Sequence, residues 1–263
     1  MGGNKIMTVT DWIVAIGTAV MAIVAIIAIF QDKIRSWLLR PKLQVFLQVA
    51  SPDCTKTKFR YSIQEPIMPS TNTASSTAGI LPASNETEAY FFRLRVANTG
   101  NQKAENVEVF AAKLTRRLAD GTFKEVDSFL PMNLVWSYLN WLFFPAISPG
   151  IYKYCDLFHV VNPEKRKFIP FEDDTWANVN PNKTILSFDT IAKPYTKNYL
   201  VCPGIYHLDL TLAASNSKIV NKTLEINLTG DWFDDEKKCW EKEWVLHYYK
   251  GLNKFTSDKG CLP

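Results

Sequence analysis

Three histidines, five cysteines and two charge clusters are the residues of this 263-residue chain whose types suit chemistry. His207 and Asp209 stand at i and i+2 of an alternating segment, on one strand face, where a carboxylate can orient an imidazole for base catalysis. The polar outer face of an ordinary strand yields the same pair, and that reading is preferred. His159 falls in another expected strand and His247 in an expected helix; none of the three stands beside a nucleophile motif such as GxSxG, and no Gly-rich phosphate loop occurs. Cys54, Cys155, Cys202, Cys239 and Cys261 are odd in number and scattered, with no CxxC pair and no His at zinc-ligand spacing. Free thiols are expected, with two bridges and one thiol as the alternative for a domain facing outward. Asp234, Asp235 and Glu236 are read as complementing a helix dipole and not as a cation site, and Lys165, Arg166 and Lys167 as a solvated loop. The chain is thus expected to be no enzyme, with no catalytic residue, no cofactor and no metal.

The elements around these residues begin with an uncharged run, Trp12 to Phe30. As a helix it is roughly 28 Å long, the thickness of a bilayer's hydrocarbon core. No small-residue cleavage site follows it, so a transmembrane helix over residues 12–30 is preferred to a signal peptide or a buried core helix. Ala15, Thr18, Ala22 and Ala25 place small side chains on one stripe where two such helices can approach closely. After a short tail, residues 1–11, and the span comes a basic amphipathic segment, 31–42. There Lys33, Arg35, Trp37 and Arg40 are expected at lipid headgroups, with Pro41 ending the helix. Four basic residues on this flank, Lys42 included, outweigh the amino terminus and Lys5 on the other. The positive-inside rule then puts the N-terminus outside and the following domain in the cytoplasm. Of the chain's 30 basic and 26 acidic residues, 25 and 24 lie beyond residue 42; so neutral a domain lacks the footprint of a nucleic-acid binder.

Residues 43–230 read as mainly β. Alternation marks strands at Leu43 to Val49, Tyr90 to Val96, Tyr206 to Leu212 and Leu224 to Leu228; Ile151 to Val161 and Thr184 to Phe188 are added as further strands. Asp120-Gly121 turns a hairpin, and a long polar loop covers 66–88. The run FFRLRVANTGNQKAENVEVF, residues 91–110, resembles the strand, turn, strand signature of bacterial Ig-like domains of the cell-adhesion-related (CARDB-like) type. Asn98, Thr99 and Gly100 match its turn, and Ala104, Asn106 and Val107 its return strand. In that turn Gly100 is expected to take positive φ, and Asn98 to bond the turn backbone. The resemblance covers about 20 residues and implies an antiparallel Ig-like sandwich, while saying little of function. Residues 231–263 are expected to form a C-terminal helix and tail, with Trp240, Trp244 and Tyr248 recurring every four residues up to Gly251.

Ser128 to Tyr152 carries no charge and is dense in aromatics. Its apolar part, Leu134 to Phe144, is too short for a second span. The preferred expectation is a plug for the sandwich; the sharper one is an exposed patch of Trp136, Tyr138 and Trp141 that touches headgroups or a partner protein. Sequons at Asn85, Asn182, Asn221 and Asn227 have meaning only for an outward-facing domain. Together these features point to a single-pass protein whose Ig-like domain is an interaction or scaffolding module. Its expected partners are membrane lipid and a protein or a second copy, and no nucleic acid. The alternatives are an oligomerising membrane effector acting through its helix and an outward-facing adhesion-type module.

Overall fold

The computed structural model of the chain describes residues 8–62, 84–166, 180–242 and 244–248. It opens with helix α1, Val9–Leu38. A reciprocal cap starts it: the Thr8 N–H donates to the Asp11 carboxylate at 2.9 Å, and the Asp11 N–H donates to the Thr8 hydroxyl at 3.3 Å. Residues Val9–Gln31 are long and apolar enough to cross a membrane, and the rest of the protein buries none of this stretch. The helix runs unbroken through the juxtamembrane segment and stops just before Pro41.

The strands follow in chain order: β1 Leu43–Phe46, β2 Cys54–Ser62, β3 Ser84–Asn98, β4 Ala104–Arg117, β5 Phe123–Glu125, β6 Met132–Asn133 and β7 Phe144–Ile147. Then come β8 Tyr152–Val161, a helical turn α2 Pro163–Arg166, β9 Leu186–Phe188, β10 Leu200–Val201, β11 Gly204–Ala213 and β12 Val220–Leu228. A short helix α3, Glu236–Lys242, and strand β13, Trp244–Tyr248, complete the described chain. Two antiparallel sheets result. One runs β1-β3-β8-β9-β10, with β2 paired beside β1 along the same long strand; the other runs β13-β12-β11-β4-β5, with β6 and β7 also on β4. Phe92, Leu94 and Val96 of β3 and Val107, Val109 and Ala111 of β4 are wholly buried, and the alternate residues face outward. The Asp120-Gly121 hairpin forms as expected, with Gly121 at a φ of 86°.

Three sequence expectations change. The polar loop was placed over 66–88, but residues 84–88 extend β3, held to β2 by register and by the Lys58–Glu86 and Lys56–Glu88 ion pairs; residues 66–83 lie outside the described residues. The C-terminal helix is only α3, because Trp244 to Tyr248, rich in aromatic and branched side chains, instead adds a strand to the edge of β12. Trp240 does pack on the sandwich, 5.1 Å from the Tyr90 ring and 5.6 Å from Phe92. The third change is at Asn98-Thr99-Gly100. These residues do not turn β3 back on itself; they carry the chain from one sheet to the other.

That corner is also where α1 joins the domain. Asn98 is wholly buried, and its side chain makes four hydrogen bonds: Nδ2 donates to the Gln102 and Ile147 carbonyls, and Oδ1 accepts from the Lys42 and Gly100 N–H groups. A buried amide with every donor and acceptor used is the condition under which polar burial is tolerated. Gly100 is not at positive φ. It is required for close approach: a Cβ there would lie 2.4 Å from the Arg40 carbonyl oxygen and 2.5 Å from the Lys42 nitrogen. The Arg40 N–H donates to Asn101 Oδ1, and the Thr99 N–H to the Lys42 carbonyl, so residues 40–42 lie clamped on the turn.

Gly100→Ala is expected to cost about 3 kcal/mol, since the atoms it meets are backbone and cannot swing aside. Asn98→Ala, which strips partners from buried backbone groups, should cost at least about 3 kcal/mol. Gln102→Ala, exposed in the same turn, should stay within about 0.5 kcal/mol. Urea unfolding of the full chain in detergent, followed by Trp fluorescence, measures all three.

Candidate functional site

One irregularity organises the outer face of the first sheet. Between Phe92 and Arg93 the β3–β8 register shifts, leaving Leu157 as an extra residue in β8. Without it, Asp156 and His159, three positions apart, would point to opposite faces; with it, both lie outward, opposite Arg93 and Phe91. Arg93 Nε lies 3.1 Å from the Asp156 carboxylate, which also accepts from the Ser137 hydroxyl at 2.5 Å. Arg95 Nε lies 3.0 Å from the buried Asp53 carboxylate. Burial pushes the carboxyls of Asp53 and Asp156 up from the usual range, against the opposing pull of these arginines and of donated hydrogen bonds.

Farther along the face His159 Nδ1 lies 2.6 Å from Asp189 Oδ1, with the rings of Phe59 and Phe91 stacked 5.2 and 5.1 Å from the imidazole. Ser187 is the direct cross-strand partner of His159, and its buried hydroxyl has no hydrogen-bond partner among the described residues. Serine and histidine thus pair across β8 and β9, with the aspartate just after β9 bonded to the imidazole. The carboxylate fixes the imidazole, as in base catalysis. Yet His159 and Ser187 are almost wholly buried, and the nearby surface cavity, lined by Lys58, Glu86, Thr87, Glu88, Asn162 and Lys165, touches none of the three. The row, as folded, is a piece of polar core. Nothing local in the sequence marks it, because Asp189 arrives from a strand thirty positions later and the bulge breaks the alternation that would have paired it.

The other candidate chemistry disperses. His207 faces Glu225 across the β11–β12 pair at 3.3 Å, with Phe123 stacked on it at 3.7 Å, while Asp209 accepts from the Thr223 hydroxyl; the two bond across the strands and not to each other, as the preferred reading of a polar strand face expects. The side chain of His247 and Cys261 lie outside the described residues. Among the described residues Cys54, Cys155, Cys202 and Cys239 form no disulfide, and burial pushes the thiols of Cys54, Cys155 and Cys202 up, which makes them poor nucleophiles. Among the described residues no group of His, Cys, Asp and Glu is placed to hold a metal. The acidic cluster caps and covers: Asp235 accepts from the Lys238 N–H, and Glu236 accepts from the Lys56 N–H on the outer edge of β2. Arg166, expected in a solvated loop, is buried and donates to the Lys183 carbonyl.

The aromatic segment divides at one residue. Leu134 donates its N–H to Val109 of one sheet, and Ser137 donates to Tyr154 of the other, so Met132 to Ser137 stitches the seam between β4 and β8. Trp136, expected to be exposed in the patch reading, is wholly buried there with Phe144 5.2 Å away, which is the plug. Beyond it the loop turns outward through two positive-φ residues, Tyr138 at 68° and Asn140 at 51°. Tyr138 is 83% exposed, and Leu139, Trp141, Leu142 and Phe143 are exposed by 42 to 47%. Tyr138 and Trp141 are thus the patch, with Arg93 5.4 Å over the Tyr138 ring. On α1, Ala15, Thr18, Ala22 and Ala25 are all exposed, and the Thr18 hydroxyl is satisfied by the Val14 carbonyl at 2.8 Å. Lys33, Arg35 and Trp37 stand on the last turns of α1 with side chains outside the described set, and Arg40 is half-buried on the corner.

Trp136→Ala should lower stability by about 4 kcal/mol, whereas Tyr138→Ser and Trp141→Ser should change it by less than about 1 kcal/mol; chemical unfolding separates the anchor from the patch. Arg93→Met strands a buried carboxylate. Because the Asp156 pKa already lies above its ordinary 3.8 in the folded protein, its ionisation opposes folding as pH rises, and loss of the guanidinium steepens that slope. The cost should be about 3 kcal/mol at neutral pH and clearly smaller near about pH 5, read from unfolding curves at both.

No protein-family model matches the chain, and no curated protein matches it in sequence.

Proposed function

We propose that this is a single-pass membrane protein that presents an Ig-like β-sandwich as a protein-interaction module on the cytoplasmic side of the bilayer. The observation that carries the reading is the loop after Trp136. Five large apolar side chains in a row, Tyr138, Leu139, Trp141, Leu142 and Phe143 with Asn140 between them, stay in water on a backbone held by a buried tryptophan and by two positive-φ residues. Exposed apolar clusters of this kind mark contact surfaces, and Trp and Tyr are the side chains most often found carrying interface energy. The reading involves no cofactor and no nucleic acid.

A second reading, an effector that oligomerises through its span, is supported by the small-residue stripe on α1, whose side chains are all exposed. The two are separable in full-length protein extracted in mild detergent. Under the first, Tyr138→Ser with Trp141→Ser should remove co-purifying protein while leaving the particle mass of the chain itself unchanged. Under the second, Ala15→Leu, Ala22→Leu and Ala25→Leu should reduce that mass to the monomer, and the loop variants should do nothing. Carbonate-resistant membrane association with protease-accessible residues 43–263 in inverted vesicles tests the topology; release by carbonate overturns it.

A further inference from the structure

Four segments far apart in sequence meet at the end of the sandwich where α1 enters. They are residues 39–42, the corner 98–105, the turn 147–153 and the β11–β12 hairpin tip 214–220. Asn98 joins the first three through Lys42 and Ile147, and the Asn216 side chain donates to the Lys103 carbonyl while Ser217 donates to Pro41. These segments contain five basic residues, Arg40, Lys42, Lys103, Lys153 and Lys218, and one acidic residue, Glu105. Of the chain's 30 basic and 26 acidic residues this leaves 25 of each elsewhere, so the whole excess of +4 resides on one end of one domain. Among the described residues none of the five cations makes an ion pair, although Lys56, Lys58, Arg93, Arg95, Lys113 and Lys183 all do. Between the charges stand exposed apolar side chains: Leu39 at 38%, Ile151 at 47%, Tyr152 at 50% and Ile219 at 66%.

We propose that this end is a docking face for the anionic lipid headgroups of a bilayer, which seats the sandwich on the membrane it is tethered to. The inference rests on α1 being a membrane span. Its apolar stretch ends at Gln31 and the helix continues to Leu38, so the corner lies within about 12 Å of the hydrocarbon edge and nearer if the helix tilts. Lipid headgroups occupy much of that gap. Lysines outside any ion pair, one of them Lys153 with its ammonium 5.2 Å over the Phe144 ring, and apolar tips between them match such a surface, the charges drawn to acidic headgroups and the tips to the interface. An acidic protein would satisfy the charges, but the tether presents the bilayer first and at a fixed short distance.

Amide hydrogen exchange on the full-length protein tests this in nanodiscs of phosphatidylcholine alone and of phosphatidylcholine mixed with phosphatidylserine. Exchange in 98–105, 147–153 and 214–220 should slow at least about fivefold in the anionic discs, a factor that corresponds to the attraction of one lysine to an acidic leaflet. High salt should reverse the effect. Lys103→Gln with Lys218→Gln should abolish it, with unchanged exchange in β8 and β11 confirming the fold. Equal exchange in the two discs overturns the docking face while carbonate-resistant insertion leaves the span intact. Slowing by a polyglutamate peptide and not by anionic lipid overturns the lipid assignment. Release of the protein from vesicles by carbonate overturns the span, and the face with it.

Discussion

A single buried amide holds this protein's two parts together. The Asn98 side chain spends both donors and both acceptor sites on four different backbone groups, from Lys42 just before β1, from the inter-sheet corner and from the end of β7. The bond to Ile147 is wholly buried and the other three partly so, and one side chain makes them all, so the four backbone groups lose their bonds together if the amide is removed. Gly100 imposes the matching steric condition, admitting the backbone of residues 40–42 where any side chain would exclude it. The consequence is a direct joint. Helix α1 ends at Leu38 and the chain is hydrogen-bonded to the domain from Arg40 onward, which leaves almost no length in which the domain could turn independently of the helix.

A second local event, the extra residue Leu157 in β8, decides what the outer face of one sheet can do. It brings Asp156 and His159 to the same side, where Asp156 is paired with Arg93 and accepts from Ser137, and His159 is hydrogen-bonded to Asp189. Charge inside a sandwich is costly unless paired, and here each carboxylate has a partner within hydrogen-bond distance. The row lies under Phe59 and Phe91, with His159 and Ser187 almost wholly buried, so that as folded these two side chains are closed to solvent.

How far the sequence could be read depended on whether an effect was local. Alternation placed β1, β3, β11 and β12 because one buried face per strand leaves a period of two in the residues themselves. The hairpin at Asp120-Gly121 and the long apolar helix were legible for the same reason. At Asn98-Thr99-Gly100 the location of a turn was legible but its role was not: the need for glycine comes from residues 40–42, more than fifty positions away. The aromatic segment could not be divided in advance, since Trp136 and Trp141 are alike in type and differ only in which side of a seam the backbone turns them. Trp244 to Tyr248 has a pattern compatible with helix or strand, and the open edge of β12 settled it. The bulge left no mark at all, and with it went the pairing of His159 and Asp189.

The charge distribution shows the same division between local and assembled information. Read linearly, the basic residues seem concentrated next to the span, at Lys33, Arg35, Arg40 and Lys42, and the domain seems neutral. Folding adds Lys103, Lys153 and Lys218 to Arg40 and Lys42 at one end, while the other lysines and arginines of the sheets are largely taken up in ion pairs. A neutral domain therefore carries a polarised surface, and the polarity points along the joint with α1. Because that joint is direct, the orientation of the basic end also sets the orientation of the Tyr138–Phe143 loop, which projects from the β4–β8 seam at the side of the sandwich. On the proposed reading, a domain seated by its basic end would hold the aromatic loop beside the bilayer, available to a partner confined to the same surface. Attraction to the membrane and recognition of a partner would then be divided between two faces of one domain, with Asn98 joining that domain to the chain that leaves α1.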